Sequence, residues 1–365
     1  MMLCTQSHLA RALCAILLLC FGLQFFYLFF GTHYPSVSQT SYPPTPTFLH
    51  CYDDDTCFPL LQESLAIDVE RSGIRCRNSS EPSDAVVRYA TRMATVTAQF
   101  GDPQPHYEQS LRSQMLNSRI HGGQLHVLRR KIVDDLWNKP AFILSILLLE
   151  MSKPENERVE WLFWVDRDVV ILDTCRSPAS FLPLQLQNVG EDGIKYEKSP
   201  DLDHIQLLVT EDWNGLNNGV FLLRVSRWSI DLFSAILSYR YYKPDVKLPF
   251  TEQSAMEILL KDDQFRDNAI WVPQWWFNAY PGPLETFIHD KQLELEDLRA
   301  RPGDFLVHFA GVAHREEAMI PWLQNFNSSQ EKGTWTSRPW HRNLDEEINL
   351  FWSSRAWEKV VTTLS

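Results

Sequence analysis

Basic charge is scarce in this chain of 365 residues: 34 lysines and arginines stand against 46 aspartates and glutamates, a formal net charge of −12 at pH 7. No long Lys/Arg cluster offsets that balance, which excludes a nucleic-acid binder, because such a protein needs a basic footprint to displace phosphate counterions. Internal repeats are absent, so a solenoid or a propeller is excluded as well. The several clustered His/Asp sites that two-metal hydrolysis uses are also missing, which argues against a metal-dependent phosphodiesterase or hydrolase. Cysteine is sparse. Beyond residue 30 there are Cys51, Cys57, Cys76 and Cys175, and their spacing supplies no zinc-ligand set. An even number suits an oxidising compartment, where Cys51 and Cys57 could close a small loop, although spacing alone leaves the pairing open.

One long apolar run is present. Leu13 to Phe30 reads LCAILLLCFGLQFFYLFF, with Gln24 as its polar interruption, close to the ~20 residues a helix needs to cross a bilayer. Arg11 precedes it, which would keep the short N-terminus cytosolic and everything after Gly31 luminal. A cleaved signal peptide is the competing reading; the length of the run favours an uncleaved signal-anchor. The stretch THYPSVSQTSYPPTPTF that follows reads as an extended stalk. Asn78-Ser79-Ser80 and Asn327-Ser328-Ser329 are glycosylation sequons. The expected organisation is a cytosolic N-terminus (1–12), a transmembrane helix (13–30), a luminal stalk (31–85), a catalytic domain (86–325) and a C-terminal extension (326–365). A single-pass type II protein of the Golgi membrane is the expected setting.

Strands and helices alternate through the part that follows the expected stalk. Residues 86–100 contain a first strand, and 137–151 read as a helix with Pro140 near its start. EWLFWVDRDVVIL (160–172) is a nearly continuous apolar strand of the kind buried on both faces of a parallel sheet. Short strands follow at 205–210 and 219–225. Ser226 is positioned to cap a helix through Tyr239, and Thr251 another through Lys261. DFLVHF (304–309) is a late strand. This alternation predicts an open, mostly parallel α/β sheet flanked by helices, with ligands beyond the carboxyl ends of the strands.

Asp166-Arg167-Asp168 sits at the end of the most apolar strand. In extended chain the i, i+2 spacing puts both carboxylates on one side and Arg167 on the other. Converging carboxylates call for a counter-charge, which a divalent cation shared with a diphosphate supplies. The bland alternative is a charged turn in which Arg167 pairs with one aspartate. Asn214, Gly215, Asn217, Asn218 and Gly219 form a turn-prone polar cluster whose first reading is a tight turn. A carboxylate at Glu252, in the first turn of a helix, also simply complements the helix dipole. WVPQWWFNAYPG (271–282) is an aromatic cluster that reads equally as a sugar platform or a packed lid.

The segments WLFWVDRDVVIL, EDWNGLNNGVFLLRVSRWSIDLF (from Glu211), FTEQSAMEILL (from Phe250) and VHFAG (from Val307), in that order, resemble the motifs of glycosyltransferase family 34. That family embraces fungal α-1,2-galactosyltransferases, α-1,6-mannosyltransferase subunits and plant xyloglucan xylosyltransferases. The resemblance implies a GT-A fold and Mn²⁺-dependent transfer, with retention, of a hexose from a nucleotide diphosphate sugar. UDP-galactose is favoured over GDP-mannose as donor, and a mannose-containing glycan is the implied acceptor. It assigns Asp166, Asp168 and His308 to the metal, with Asp166 also on the ribose side of the donor. Asp212, Asn214, Asn217, Gly219, Gly311 and Arg315 fall on the donor, and Gln253 with Glu252 beneath the anomeric carbon. Two departures stand out. Ala313 occupies a position where a Lys meeting the diphosphate is usual, leaving Arg315 as the nearby cation. Glu252 stands where Asp is usual, and Thr251 replaces a further acidic residue. The missing Lys feeds the alternative of a non-catalytic subunit of a Golgi mannan-building complex.

Overall fold

The computed structural model describes residues 48–52, 57–79, 91–183, 185–189, 193–197, 204–289, 298–332 and 342–364. All fall within the unit Thr47–Ser365. The apolar run 13–30 and the Pro/Ser/Thr stretch to residue 47 lie outside the described residues. Among those described, no helix is long and apolar enough to cross a membrane.

A seven-stranded sheet forms the centre. It contains β1 (Leu49–Tyr52), β2 (Met93–Ala98), β3 (Gln124–Leu128), β4 (Trp161–Val165), β8 (Leu207–Asp212), β9 (Gly215–Arg224) and β10 (Ala269–Trp271). Their order is β1-β3-β2-β4-β9-β8-β10. Only β9 runs against the others, pairing antiparallel with both β4 and β8, so the expected mostly parallel α/β sheet is what forms. The five residues of β4 are all buried. Leu162 and Trp164 pack with Phe142 and Phe233 on one face; Phe163 and Val165 pack with Phe181, Trp276 and Phe305 on the other. A strand covered on both faces gains from apolar side chains at every position, hence the unbroken run.

The 160–172 segment is not one strand. After Val165 it turns through Asp166–Asp168 and resumes as β5 (Val169–Ile171), which leaves the main sheet to pair antiparallel with β11 (Leu306–His308). Three consecutive charged residues cannot continue into a doubly covered sheet without stranding their charges. A hairpin of β6 (Gln185–Val189) and β7 (Gly193–Glu197) stands apart.

Helices α3 (Asn138–Met151), α4 (Arg227–Tyr242) and α5 (Glu252–Leu259) supply the first face's core. Ser226 caps α4 as expected, its hydroxyl accepting from Ser229 N–H at 3.3 Å. Thr251 does not cap α5: it makes no side-chain cap bond and sits at φ +52°. Helices α1 (Pro59–Ser79), α2 (Pro105–Ile120) and α8 (Arg315–Lys332) pack together beside β5. β1 and α1 therefore lie within the span read as stalk, yet they add a strand and a helix to the ordered unit. Disulfides join Cys51 to Cys57 and Cys76 to Cys175, the second tying α1 to the loop after β5.

Short helices α6 (Gln274–Phe277) and α7 (Leu284–His289) follow β10, and α9 (Leu344–Leu364) closes the chain. Within the aromatic cluster, Trp276 and Phe277 are completely buried. Trp276 lies edge-on to Phe351 of α9, and the Trp275 indole donates to Glu347 at 2.7 Å. The cluster is a packed lid, the second of its two readings.

Candidate functional site

A cleft of about 470 Å³ opens beyond the carboxyl ends of β4 and β8, with Asp166, Asp168 and His308 among its lining. The β5–β11 register sets His308 opposite Val169 and so beside Asp168. Donor atoms of the three side chains lie within 4.8 Å of one another. Two ligands on opposite sides of a small divalent ion stand roughly 4 Å apart, so the group can hold a metal ion, and carboxylate with imidazole suits first-row metals. The carboxylates converge through the turn rather than through a pleat. Arg167 faces away and lies over the Tyr107 ring, 4.3 Å from its centroid.

The surroundings settle how His308 is presented. Asp212 can only accept hydrogen bonds, so the Asn278 amide nitrogen faces it, donating at 3.2 Å. The Asn278 carbonyl oxygen then accepts from His308 Nδ1 at 2.8 Å. Nδ1 therefore carries a hydrogen, which leaves Nε2, facing Asp168 Oδ1 3.6 Å away, as the ring nitrogen that can bind a metal. Such a partner fixes both the tautomer and the ring plane of a metal-binding histidine. Gly219 leaves the space for that ring, since a Cβ there would lie 2.2 Å from His308 Cε1.

Burial alone would raise the Asp168 carboxyl. The nearby His308, together with Arg315, whose Nε is 2.8 Å from Asp168 Oδ2, instead holds it well below the usual carboxylate range. Asp166 is held from behind: Trp164 Nε1 donates to it at 2.7 Å, and Lys139 Nζ lies 3.1 Å from its Oδ1. The Lys139 side chain, 12% exposed, also donates to the Asn218 carbonyl at 3.0 Å and stands 3.5 Å from Glu252 Oε1. Burial would lower the Lys139 ammonium, but Asp166 and Glu252 raise it on balance. Burial raises the Glu252 carboxyl, with Lys139 opposing.

Of the residues singled out from sequence, Asp212, Asn214, Asn217, Gly219, Gly311, Arg315 and Gln253 all line this cleft with the three metal candidates. Glu252 does not; it is buried behind them against Lys139. Asp212 is fully engaged by protein groups, accepting from Asn214 N–H, Asn217, Asn278 and the Tyr280 hydroxyl, the last at 2.8 Å. Burial, and then that bond, push the Tyr280 hydroxyl pKa upward. Asn217 also accepts from Gly219 N–H at 3.0 Å; the tight-turn reading holds only for Trp213 and Asn214 with Gly215, because Asn217, Asn218 and Gly219 already lie in β9. Asn218 N–H donates to Gln253 Oε1 at 3.2 Å, fixing that amide at the cleft wall. The positive φ of Thr251 is a strained conformation for a β-branched residue, and it lies immediately before Glu252 and Gln253.

Sequence reasoning missed Lys139, Asn278, Tyr280 and Trp213. Lys139 carries no spacing signal, being one cation at a helix start. Asn278 and Tyr280 were available as the polar members of an otherwise apolar segment.

The arrangement defines an open α/β sheet protein with an acidic, metal-competent cleft at its strand ends. The chain belongs to the galactosyl transferase GMA12/MNN10 family, glycosyltransferase family 34, whose sequence model matches residues 108–318. It is 23% identical over 223 residues to the "Probable alpha-1,6-mannosyltransferase MNN10" of Saccharomyces cerevisiae, covering 57% of this chain and 51% of that protein. It is likewise 23% identical over 220 residues to an uncharacterized α-1,2-galactosyltransferase of Schizosaccharomyces pombe, covering 54% of this chain and 59% of the other. With xyloglucan 6-xylosyltransferase 4 of Arabidopsis thaliana it shares 30% identity over 120 residues, 32% of this chain and 20% of that one. The chain thus spans little more than half the length of these fungal relatives. Every cleft residue assigned from the motifs lies within the matched span.

Proposed function

We propose that this protein is a retaining, Mn²⁺-dependent glycosyltransferase that moves a hexose, galactose in preference to mannose, from a nucleotide diphosphate sugar onto a mannose-containing glycan. The setting we propose is the Golgi lumen, with residues 13–30 as the anchor. The observation that carries the reading is the convergence of Asp166, Asp168 and His308 at the base of a cleft whose wall presents Gln253.

Asp166, Asp168 and His308 would hold the ion, which supplies charge neutralisation to the departing diphosphate. Lys139 and Trp164 keep the Asp166 carboxylate in place, and Asn278 keeps Nε2 of His308 turned inward. Arg315 stands where it can meet the diphosphate in place of the Lys missing at Ala313. The bond from the anomeric carbon to the diphosphate oxygen breaks, and the acceptor hydroxyl attacks from the same face. Its proton passes to the departing phosphate oxygen. Gln253, pinned by Asn218, offers its carbonyl dipole to the positive charge that develops on the ring. Glu252 acts at one remove, through Lys139.

The alternative is a non-catalytic subunit, and the observation favouring it is Ala313. The test is nucleotide release from a panel of sugar nucleotides with Mn²⁺ and mannobiose, with Asp168→Ala alongside. Release from one donor, abolished by the substitution and by chelator, is the expected result. A folded protein that neither turns over nor binds UDP or GDP would overturn the transferase reading and leave the subunit.

A further inference from the structure

The β8–β9 hairpin carries an unusual residue at its tip. Trp213 is 81% exposed, yet it lines the cleft. A large indole left in water gains nothing for folding, and a flexible loop would not hold it in one place. This loop is not flexible. Trp213 and Asn214 form a two-residue turn between paired Asp212 and Gly215, with Gly215 at φ +100°. Of the four hydrogen bonds to Asp212, two come from within the hairpin and two tie the base of the turn to Asn278 and Tyr280. Gly215 packs against α5 so closely that a Cβ would lie 2.8 Å from Glu257 Oε1.

The hairpin also has reach. Asp166 N–H bonds the Gly219 carbonyl, so Gly219 marks the level of the metal group. Four further residues of β9 back to Gly215 carry the hairpin about 13 Å beyond that level. Trp213 therefore stands at the cleft mouth, and Phe250, which is 43% exposed, and Pro281 belong to the same lining.

We propose that Trp213 is a stacking platform for a pyranose ring of the acceptor glycan. This rests on the transferase reading above. The diphosphate of the donor lies between its nucleoside and its hexose. With the hexose directed toward Gln253 and Asn217, on the hairpin side of the metal group, the nucleoside points away from Trp213. What reaches the mouth on the hairpin side is the sugar about to be extended. Apolar C–H faces of pyranosides stack on indole rings, and an indole held rigidly in advance loses little freedom when one binds.

The experiment compares the full-length protein with Trp213→Ala and Trp213→Phe, using a mannooligosaccharide series as the probe. Two readouts are taken: calorimetric binding of the oligosaccharide to protein saturated with UDP and Mn²⁺, and separate acceptor and donor KM values. Trp213→Ala should weaken oligosaccharide binding and raise the acceptor KM at least tenfold, leaving UDP affinity and donor KM within twofold; Trp213→Phe should restore most of the loss. Unchanged oligosaccharide binding in Trp213→Ala overturns the platform, as does a loss confined to UDP, which would place a nucleobase on the indole. Wild-type protein that binds UDP with Mn²⁺ but no oligosaccharide of the series overturns it too, while failure to bind UDP at all strikes the transferase reading instead.

Discussion

Lys139→Met is the substitution whose consequences the geometry states most fully. Lys139 Nζ stands 3.1 Å from Asp166 Oδ1 and 3.5 Å from Glu252 Oε1, and the Glu252 side chain is only 4% exposed. At an effective dielectric of about 20, each contact represents roughly 5 kcal/mol of attraction. The ammonium's own desolvation offsets much of that, and removing one partner of a buried pair typically costs about 3–5 kcal/mol. For a unit of this size that corresponds to a fall in Tm of roughly 5–10 °C. The loss should depend on pH. Burial already raises the Glu252 carboxyl above its ordinary value of 4.5, and Lys139 is what opposes the rise. Without Lys139 the folded form binds that proton more tightly than the unfolded chain does. The deficit is then small near pH 5 and grows as pH rises through the shifted value. Chemical denaturation of wild type, Lys139→Met, Glu252→Gln and the double variant, at pH 5 and pH 8, measures all of this. The double variant should recover most of the stability lost by Lys139→Met at pH 8. A Lys139→Met deficit under 1 kcal/mol at pH 8, or one that is equal at both pH values and unrelieved by Glu252→Gln, would refute the reasoning.

Asn278→Leu removes the acceptor that fixes His308 Nδ1, and Mn²⁺ affinity measured by calorimetry should fall about 10–100-fold; unchanged affinity would show that the tautomer is set elsewhere. Arg315→Ala removes a cation that competes for Asp168, so Mn²⁺ should bind at least as tightly while Mn²⁺-dependent UDP binding weakens about tenfold. A parallel loss of both would reduce Arg315 to a structural role. Replacing Cys76 and Cys175 together by Ser opens a loop of sequence separation 99, which the chain-entropy account values at about 4–5 kcal/mol. Urea denaturation should show a loss of that order, and one below 1 kcal/mol would mean that the unfolded chain is already compact across this span.

How much of this was legible beforehand depended on how local the cause was. The β4 run was legible because a strand covered on both faces needs apolar residues throughout. Ser226 was legible because a cap is an interaction within three residues. Thr251 looked equally good as a cap, but the backbone there turns to φ +52°, and no neighbour in sequence announces that strain. The end of the 160–172 run was misjudged because apolar composition continues into β5; the three charges between were the sign that the strand must stop. Lys139 and Asn278 were invisible for a different reason. Their meaning lies in partners at positions 166, 218, 252 and 308, which only the folded sheet brings near.

The aromatic residues make the same point in its sharpest form. The WVPQWWFNAYPG segment and the DWNG turn both offer indoles next to turn-forming residues, and sugar stacking could be argued for either. Burial separates them: Trp276 is fully enclosed between the sheet and α9, while Trp213 stands 81% exposed at the cleft. Density of aromatics in sequence left the first segment open between platform and packed lid, because cores are where aromatics concentrate. A binding platform needs the opposite: one ring kept out of the core and held still by polar neighbours. The marker to seek is thus the isolated Trp beside Asp and Asn, where hydrogen bonds do the holding that packing does elsewhere. At Asp212 four such bonds converge one residue before the exposed ring.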